Sequence, residues 1–273
     1  ALTLVVGDLV NARNLALRQL DMAANLGDRW EVAFAQATLA RTETLLGEYP
    51  DALERLANAT VTARSLGDPG LIALLLCYLG AVQLELALFV EAKESLQESA
   101  SIALTLNDRW SHAKSLAYMG VLAHAQGDRE DSVRLLRTSL QHFEEMGARH
   151  DSATALNDLG RAILDLGTDT DAKQAFAAAL KVASECSFPP EALAALLGLA
   201  QCQMSKGDLQ QSLGIFVYVS EHPSSGPVIR ERARGLRDQV ENRLAGDQVA
   251  AALAEARAVS FEELIQRALL QCA

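Results

Sequence analysis

Glycine stands at positions 7, 27, 47, 67, 127, 147, 167 and 207, eight residues on one ladder with a step of 20. Three other rungs of the ladder hold Ala87, Asn107 and Ser187. Such regularity requires one structural element used again and again. Between rungs the chain is rich in Leu and Ala at helical spacing, and aromatic residues make up only 5%. That composition favours helix over strand. Each interval therefore predicts one helix of about 16–18 residues, closed by a left-handed residue after its last turn. Asn107 is the usual non-glycine residue for that conformation. Asp8, Asp28, Asp68, Asp128 and Asp208 directly follow rungs, where they can cap the next helix and meet the positive end of its dipole.

Two kinds of interval alternate, so the full period is 40, and Gly27-Asp28-Arg29-Trp30 returns two periods later as Asn107-Asp108-Arg109-Trp110. The first helix of each unit, helix A, carries a column of small residues: Ala40, Gly80, Gly120, Gly160 and Ala200. Each follows a large one, Leu39, Leu79, Met119, Leu159 and Leu199. Helix B carries Ala52, Ala92, Ser132, Ala172 and Ser212, then Leu56, Leu96, Leu136, Phe176 and Phe216, then Ala59, Ser99, Ser139 and Ala179. Small residues facing large ones predict closely approaching helices. The expected organisation is a partial repeat at 1–26, five repeats at 27–66, 67–106, 107–146, 147–186 and 187–226, and terminal helices with a cap at 227–273. Only six residues precede the first rung, so the chain is expected to begin inside a repeat with more chain upstream. In the tail, a helix is expected over about Val228–Leu244, since Glu221–Pro227 reads as a loop. Another opens at Gly246-Asp247 with Ala252 in the small helix B column. Ser260-Phe261-Glu262-Glu263 reads as a capping box that starts a short last helix. That helix is expected to seal the open end of the array.

Several function classes are excluded. Lys and Arg number 24 against 35 Asp and Glu, a net charge of −11 without basic blocks, which disfavours nucleic acid because that binding rests on neutralising phosphates. The four cysteines, Cys77, Cys186, Cys202 and Cys272, form no CxxC pair and read as small buried hydrophobes of a reducing compartment. The longest apolar run, Leu71 to Val82, is 12 residues, short of the roughly 20 that span a bilayer. It predicts a core helix buried on most faces. With no signal peptide visible, a cytoplasmic location is expected. No GxxxxGK[ST], GxSxG or HExxH motif occurs. His112, His124, His142, His150 and His222 fall at non-equivalent columns. Glu144-Glu145 and Glu262-Glu263 are adjacent, so on a helix each pair diverges by about 100°, whereas acid–base chemistry needs convergent groups. No catalytic residue, metal site or cofactor is expected, and the chain does not read as an enzyme.

The pattern L-G, then G-[DE], then A-x3-[LF]-x2-[AS], seen at Leu79-Gly80, Ala92, Leu96 and Ser99, resembles the tetratricopeptide repeat signature. Here the repeat is 40 residues rather than about 34. The family's first aromatic position holds Gln36, Leu76, Leu116, Leu156 and Leu196, and its tyrosine position holds Glu43, Gln83, Ala123, Ile163 and Gln203. The resemblance implies an all-α fold, a right-handed solenoid of antiparallel helix pairs whose concave wall is made by helices A. It also implies groove-lining columns three and six residues before the small column and one after it, extended by a turn in the longer helix A. The ligand-binding candidates are then Trp30, Phe34 and Arg41; Leu74 and Tyr78; Trp110, Lys114 and Tyr118; and His150, Asn157, Asp158 and Arg161. The column three before the small one comprises Ala37, Cys77, Ala117, Asn157 and Leu197, and the sector Leu71, Leu74, Cys77 and Tyr78 is expected to expose an apolar patch. Trp30 and Trp110 can equally pack against the preceding helix B. Residues 251–263 and the G-D-R-W start resemble the helical sensor regions of bacterial STAND-class ATPases of NB-ARC or NACHT type. This implies a non-enzymatic sensor that binds a protein, peptide or other effector in the groove and signals to an upstream NTPase module of the same chain. The alternative is a passive scaffold or self-association module, with no partnership with nucleic acid or membrane in either case.

Overall fold

The computed structural model describes residues 8–272, and Gly7, the first rung, lies outside them. The described residues form fourteen α-helices and no strand: α1 (Leu9–Leu26), α2 (Arg29–Leu46), α3 (Tyr49–Leu66), α4 (Pro69–Glu85), α5 (Phe89–Leu106), α6 (Arg109–Ala125), α7 (Arg129–Glu145), α8 (Arg149–Asp165), α9 (Asp169–Glu185), α10 (Pro189–Ser205), α11 (Leu209–Glu221), α12 (Pro227–Glu241), α13 (Gly246–Ala258) and α14 (Phe261–Leu270). They fall into two compact units, residues 8–148 and 149–272. In the first, α2 packs on α3, α4 on α5 and α6 on α7, while α2, α4 and α6 also lie side by side. In the second, α8 pairs with α9 and α10 with α11, and α8 and α10 are neighbours. Both units are therefore stacks of antiparallel helix pairs, an all-α solenoid architecture.

The ladder sets the helix ends. Gly27, Gly47, Gly67, Gly127, Gly147, Gly167 and Gly207 have φ between +67° and +93°. The substituted rungs adopt the same conformation, Ala87 at +57°, Asn107 at +55° and Ser187 at +55°. At the first described rung, Gly27 N–H bonds to Ala24 O and Asp28 N–H reaches back to Ala23 O, the paired closure of a helix by a left-handed residue. Asp8, Asp28, Asp68 and Asp128 each accept a main-chain N–H from the following helix, as does Asp108. Asp208 makes no such side-chain bond, contrary to expectation.

The small columns are buried, as their size pattern predicts, and of the large residues beside the helix A column Leu39, Leu159 and Leu199 are buried while Leu79 and Met119 are partly so. A Cβ at Gly80 would lie 2.6 Å from Leu96 Cγ, and one at Gly120 would lie 2.7 Å from Leu136 Cγ. The two helices of a pair approach so closely that only hydrogen fits between them. Ser99 and Ser139 use their hydroxyls to bridge the pairs, donating to Ala73 O at 2.6 Å and Ala113 O at 2.8 Å. Phe176 replaces leucine in this column, and its ring is held between Gly160 of α8 and Gly198 of α10. As expected, α4, the apolar run, is a core helix that buries residues on most of its faces.

The tail forms the three expected helices. Helix α12 packs on α11 and beside α10, as a further helix A would. Helix α13 then packs on α11, with Ala252 buried near Gly214. Helix α14 packs on α9 and α10, and Gln271 accepts from Lys173 Nζ at 2.6 Å and from Gln203 Nε2 at 2.8 Å. Only half of the expected capping box forms. Ser260 Oγ accepts from Glu263 N–H, but the Glu263 carboxylate turns to Arg267 at 2.7 Å. Two cysteines also depart from expectation: Cys77 and Cys202 are buried, while Cys186 and Cys272 are partly exposed. No described helix is long and apolar enough to cross a membrane.

Candidate functional site

The candidate residues sit on helices A, and their burial sorts them. Trp30, in the first turn of α2, is 39% exposed, stacks on Phe34 with ring centroids 5.4 Å apart, and donates its indole N–H to Asp68 Oδ2 at 2.7 Å. Its hydrogen-bond partner is thus the cap of the following helix A. The indole and the Leu71 N–H together hold the Asp68 carboxyl below its ordinary range, the main-chain bond having the larger effect. Arg41 lies over the Tyr78 ring, 5.8 Å from its centroid, and Leu74 is half-buried beside that row.

The column three residues before the small one is not a solvent-facing lining. Ala37, Cys77, Ala117, Asn157 and Leu197 are all buried. Leu71 is buried too, so the expected exposed apolar sector around Leu71 and Cys77 does not exist; only Leu74 and Tyr78 remain partly accessible. In each unit, neighbouring helices A pack side by side, and that contact consumes the column. Lys114 is likewise buried rather than groove-lining, its ammonium 5.5 Å from the Tyr118 ring centroid and 5.9 Å from that of Phe143. Burial pushes the Tyr118 phenol up to about 12, with the Lys114 charge opposing. Trp110 is partly exposed.

Asn157 is therefore an anomaly. It is a polar residue, 6% exposed, in a column otherwise made of Ala, Cys and Leu. Its amide donates to Glu191 O at 3.0 Å, but its own Oδ1 has no partner. Beside it, His150 Nε2 meets Glu191 Oε1 at 3.0 Å while Glu191 Oε2 is buried and unpartnered. One turn along α8, Arg161 Nη2 donates to Asp158 Oδ1 at 2.8 Å, and Arg161 Nε is buried without a partner. Buried polar atoms are normally satisfied, and each orphan costs about 1–3 kcal/mol. Three such orphans, Asn157 Oδ1, Arg161 Nε and Glu191 Oε2, lie on α8 and α10. His150 and Asn157 thus both meet Glu191 of α10, while Asp158 and Arg161 form a separate ion pair on α8. Glu191, which completes the group, was missed in the sequence because it lies outside the expected columns.

No group of three or more His, Cys, Asp or Glu side chains among the described residues is placed to hold a metal ion. Nor does the clustered set pair a nucleophile with a base in the way that covalent catalysis needs.

No family model matches the chain, and no curated protein matches it. Solved structures do. A Rap protein in complex with competence and sporulation factor is 14% identical, with a TM-score of 0.66 over 87% of this chain and 72% of that one. NprR in complex with its cognate peptide NprX is 14% identical, with a TM-score of 0.65 over 96% of this chain and 85% of that one. A STAND protein with a tetratricopeptide repeat sensor from Pyrococcus horikoshii is 13% identical, with a TM-score of 0.60 over 97% of this chain but 44% of that one. At these identities the likeness is one of fold, and it agrees with the repeat signature read from the sequence: the chain folds as an array of tetratricopeptide-like helix pairs.

Proposed function

We propose that the chain is a non-enzymatic, peptide- or protein-binding repeat domain, and that it serves as the sensor of a cytoplasmic STAND-class regulator. The observation that carries the binding reading is the row of accessible side chains on the helices A of the first unit, Trp30 stacked on Phe34 and Arg41 over the Tyr78 ring. It combines aromatic faces with a guanidinium, the side chains that most often anchor a partner at an interface. Two of the similar structures were solved with a peptide or signalling factor bound, which supports a polypeptide ligand. The STAND role rests on the resemblance of the tail and on the similar sensor protein. In that role the ligand would favour one state of an upstream ATPase module over another.

The test is a selection of displayed random peptides on the chain, followed by binding of the enriched sequences to a Trp30→Ala/Arg41→Ala variant. Binding should fall by about tenfold or more, since truncating an aromatic or arginine anchor costs about 2 kcal/mol or more. The far-UV melt should be unchanged. Equal binding by both proteins would refute this placement of the site.

A further inference from the structure

Helix α13 packs on α11, whereas α14 packs on α9 and α10. Between these placements the second unit holds a cavity of about 210 Å³, walled by α10, α11, α13 and α14. Its floor is apolar and built from the buried side chains of Ile215, Ala256, Leu264 and Ala268. Its polar lining is chiefly carboxamide: Gln203 of α10, Gln210 and Gln211 of α11, and Gln271 just after α14. The charges at its edge neutralise one another, since Arg267 bonds to Glu255 of α13 at 2.9 Å and to Glu263 at 2.7 Å. Lys173 and Lys206 lie in an adjoining cavity, which shares Gln203, Gln211 and Gln271 with the first. The sequence sets this lining apart from the rest of the array. The third residue of helix B is acidic in the four preceding repeats, Asp51, Glu91, Asp131 and Asp171, and is Gln211 here. An acid there favours the helix through its dipole, so helix stability gives no reason for the exchange. An amide in its place removes a charge from the cavity and adds an N–H donor.

We infer that this cavity binds a small uncharged molecule made of an apolar ring and a carboxamide edge, a C=O beside an N–H. A glutamine amide both donates and accepts, so it pairs with such an edge through two complementary hydrogen bonds. Gln203 Nε2 donates to Gln271 Oε1 at 2.8 Å, which holds α14 against α10. Gln210 and Gln211 then supply the donors and acceptors that the ligand meets, while the floor takes its ring. A charged ligand gains little, because Arg267 and Glu255 are already paired. A volume of about 210 Å³ lies below the roughly 300–1,000 Å³ that takes a drug-sized molecule. The occupant is therefore one ring with one polar substituent. The site uses no residue of the first unit, so it stands or falls apart from the peptide-binding reading.

The experiment titrates the whole chain with benzamide, sodium benzoate and toluene. It follows the side-chain NH2 resonances of Gln210 and Gln211, assigned with single Gln→Asn variants. Benzamide should shift both saturably, with a Kd on the order of 1 mM. Benzoate and toluene should each bind at least about tenfold more weakly. Toluene as tight as benzamide makes the cavity a merely apolar hole, and benzoate as tight makes it an anion site served by Lys173 and Lys206. Either result overturns the inference, as does the absence of saturable shifts with benzamide. Gln211→Asp restores the acid of the other repeats; it should melt no lower than the wild type and weaken benzamide by about tenfold. Undiminished binding by that variant overturns the carboxamide lining. Ala268→Leu fills the floor and should abolish the shifts while the far-UV spectrum stays native; full binding by this variant puts the ligand elsewhere and overturns the site. Trp30→Ala/Arg41→Ala should bind benzamide as the wild type does, and loss of binding there overturns the placement in the second unit.

Discussion

Replacing Gly198 by alanine tests the closest contact in the second unit. A Cβ there would lie 2.3 Å from Phe176 Cε1 and 2.5 Å from both Cδ1 and Cζ. Carbon atoms in contact sit about 3.5–4.0 Å apart, so the ring would have to retreat by roughly 1.2 Å or more. It has nowhere to go. Phe176 is 1% exposed, and a Cβ at Gly160 on its other side would already lie within 2.9 Å of three ring atoms. Overpacking of this kind costs about 1–3 kcal/mol, and the upper end applies where the obstacle is a fixed ring. Alanine returns about 1 kcal/mol of helix propensity. The expected net loss is therefore about 2 kcal/mol. In a Phe176→Leu background the clash disappears, and Gly198→Ala should become neutral or stabilising by up to about 1 kcal/mol. The resulting coupling energy, about 2–3 kcal/mol, is what a double-mutant cycle measures. Urea unfolding followed by far-UV circular dichroism gives each corner of the cycle, read as a shift in midpoint at constant slope. A Gly198→Ala chain as stable as the wild type, or an identical effect in both backgrounds, would refute the argument.

Three other outcomes can be checked on the same instrument. Ala87 holds a left-handed backbone at φ +57°, so Ala87→Gly should stabilise the chain by about 1 kcal/mol, seen as a higher urea midpoint. Glu43, whose side chain is 3% exposed, receives two N–H bonds from Arg55 at 2.8 and 2.9 Å; Arg55→Met should cost about 3 kcal/mol because the carboxylate stays buried without a partner. Burial, and then the neighbouring His142, lowers the His112 pKa from its ordinary 6.5. The unfolded chain thus binds the proton more readily, so this contribution to stability is complete above pH 6.5 and is lost as pH falls from there through the folded value. His112→Gln should flatten that decline in urea midpoints measured from pH 7.5 down to about 5.

The part of the fold legible in one dimension is the part carried by spacing. The ladder, the helix lengths and the small and large columns are spacings, and spacing survives in a sequence. Ala87 and Ser187 would never suggest a left-handed backbone alone; their place on the ladder does. The binding surface was less legible because it depends on which way helix A is turned. Columns carried over from a shorter repeat placed Asn157 in solvent, whereas side-by-side packing of helices A buries it with Ala37 and Cys77. The packing of α14 on α9 and α10 lies beyond the last ladder rung, where fewer columns remain to predict contacts from. A signal for Gly198 was present and unused: phenylalanine replaces leucine at 176, and a glycine appears at 198, where the equivalent positions hold Thr38, Tyr78, Tyr118 and Asp158. The bulk gained at one position is removed at the other.

From α1 to α11 each connection between consecutive helices is only two or three residues long, and the ladder residue in each is already committed to a left-handed turn. Inside each unit such links contain no spare backbone that could swing as a hinge. Within either unit, a bound partner can change the geometry only by sliding and tilting packed helices against one another, a little at each pair. A deletion inside a helix would rotate every later residue of that helix by about 100° and turn its small column away from its partner. Change in length is therefore tolerable only in whole helix pairs, and the same stiffness lets a small displacement at one pair be felt by the next.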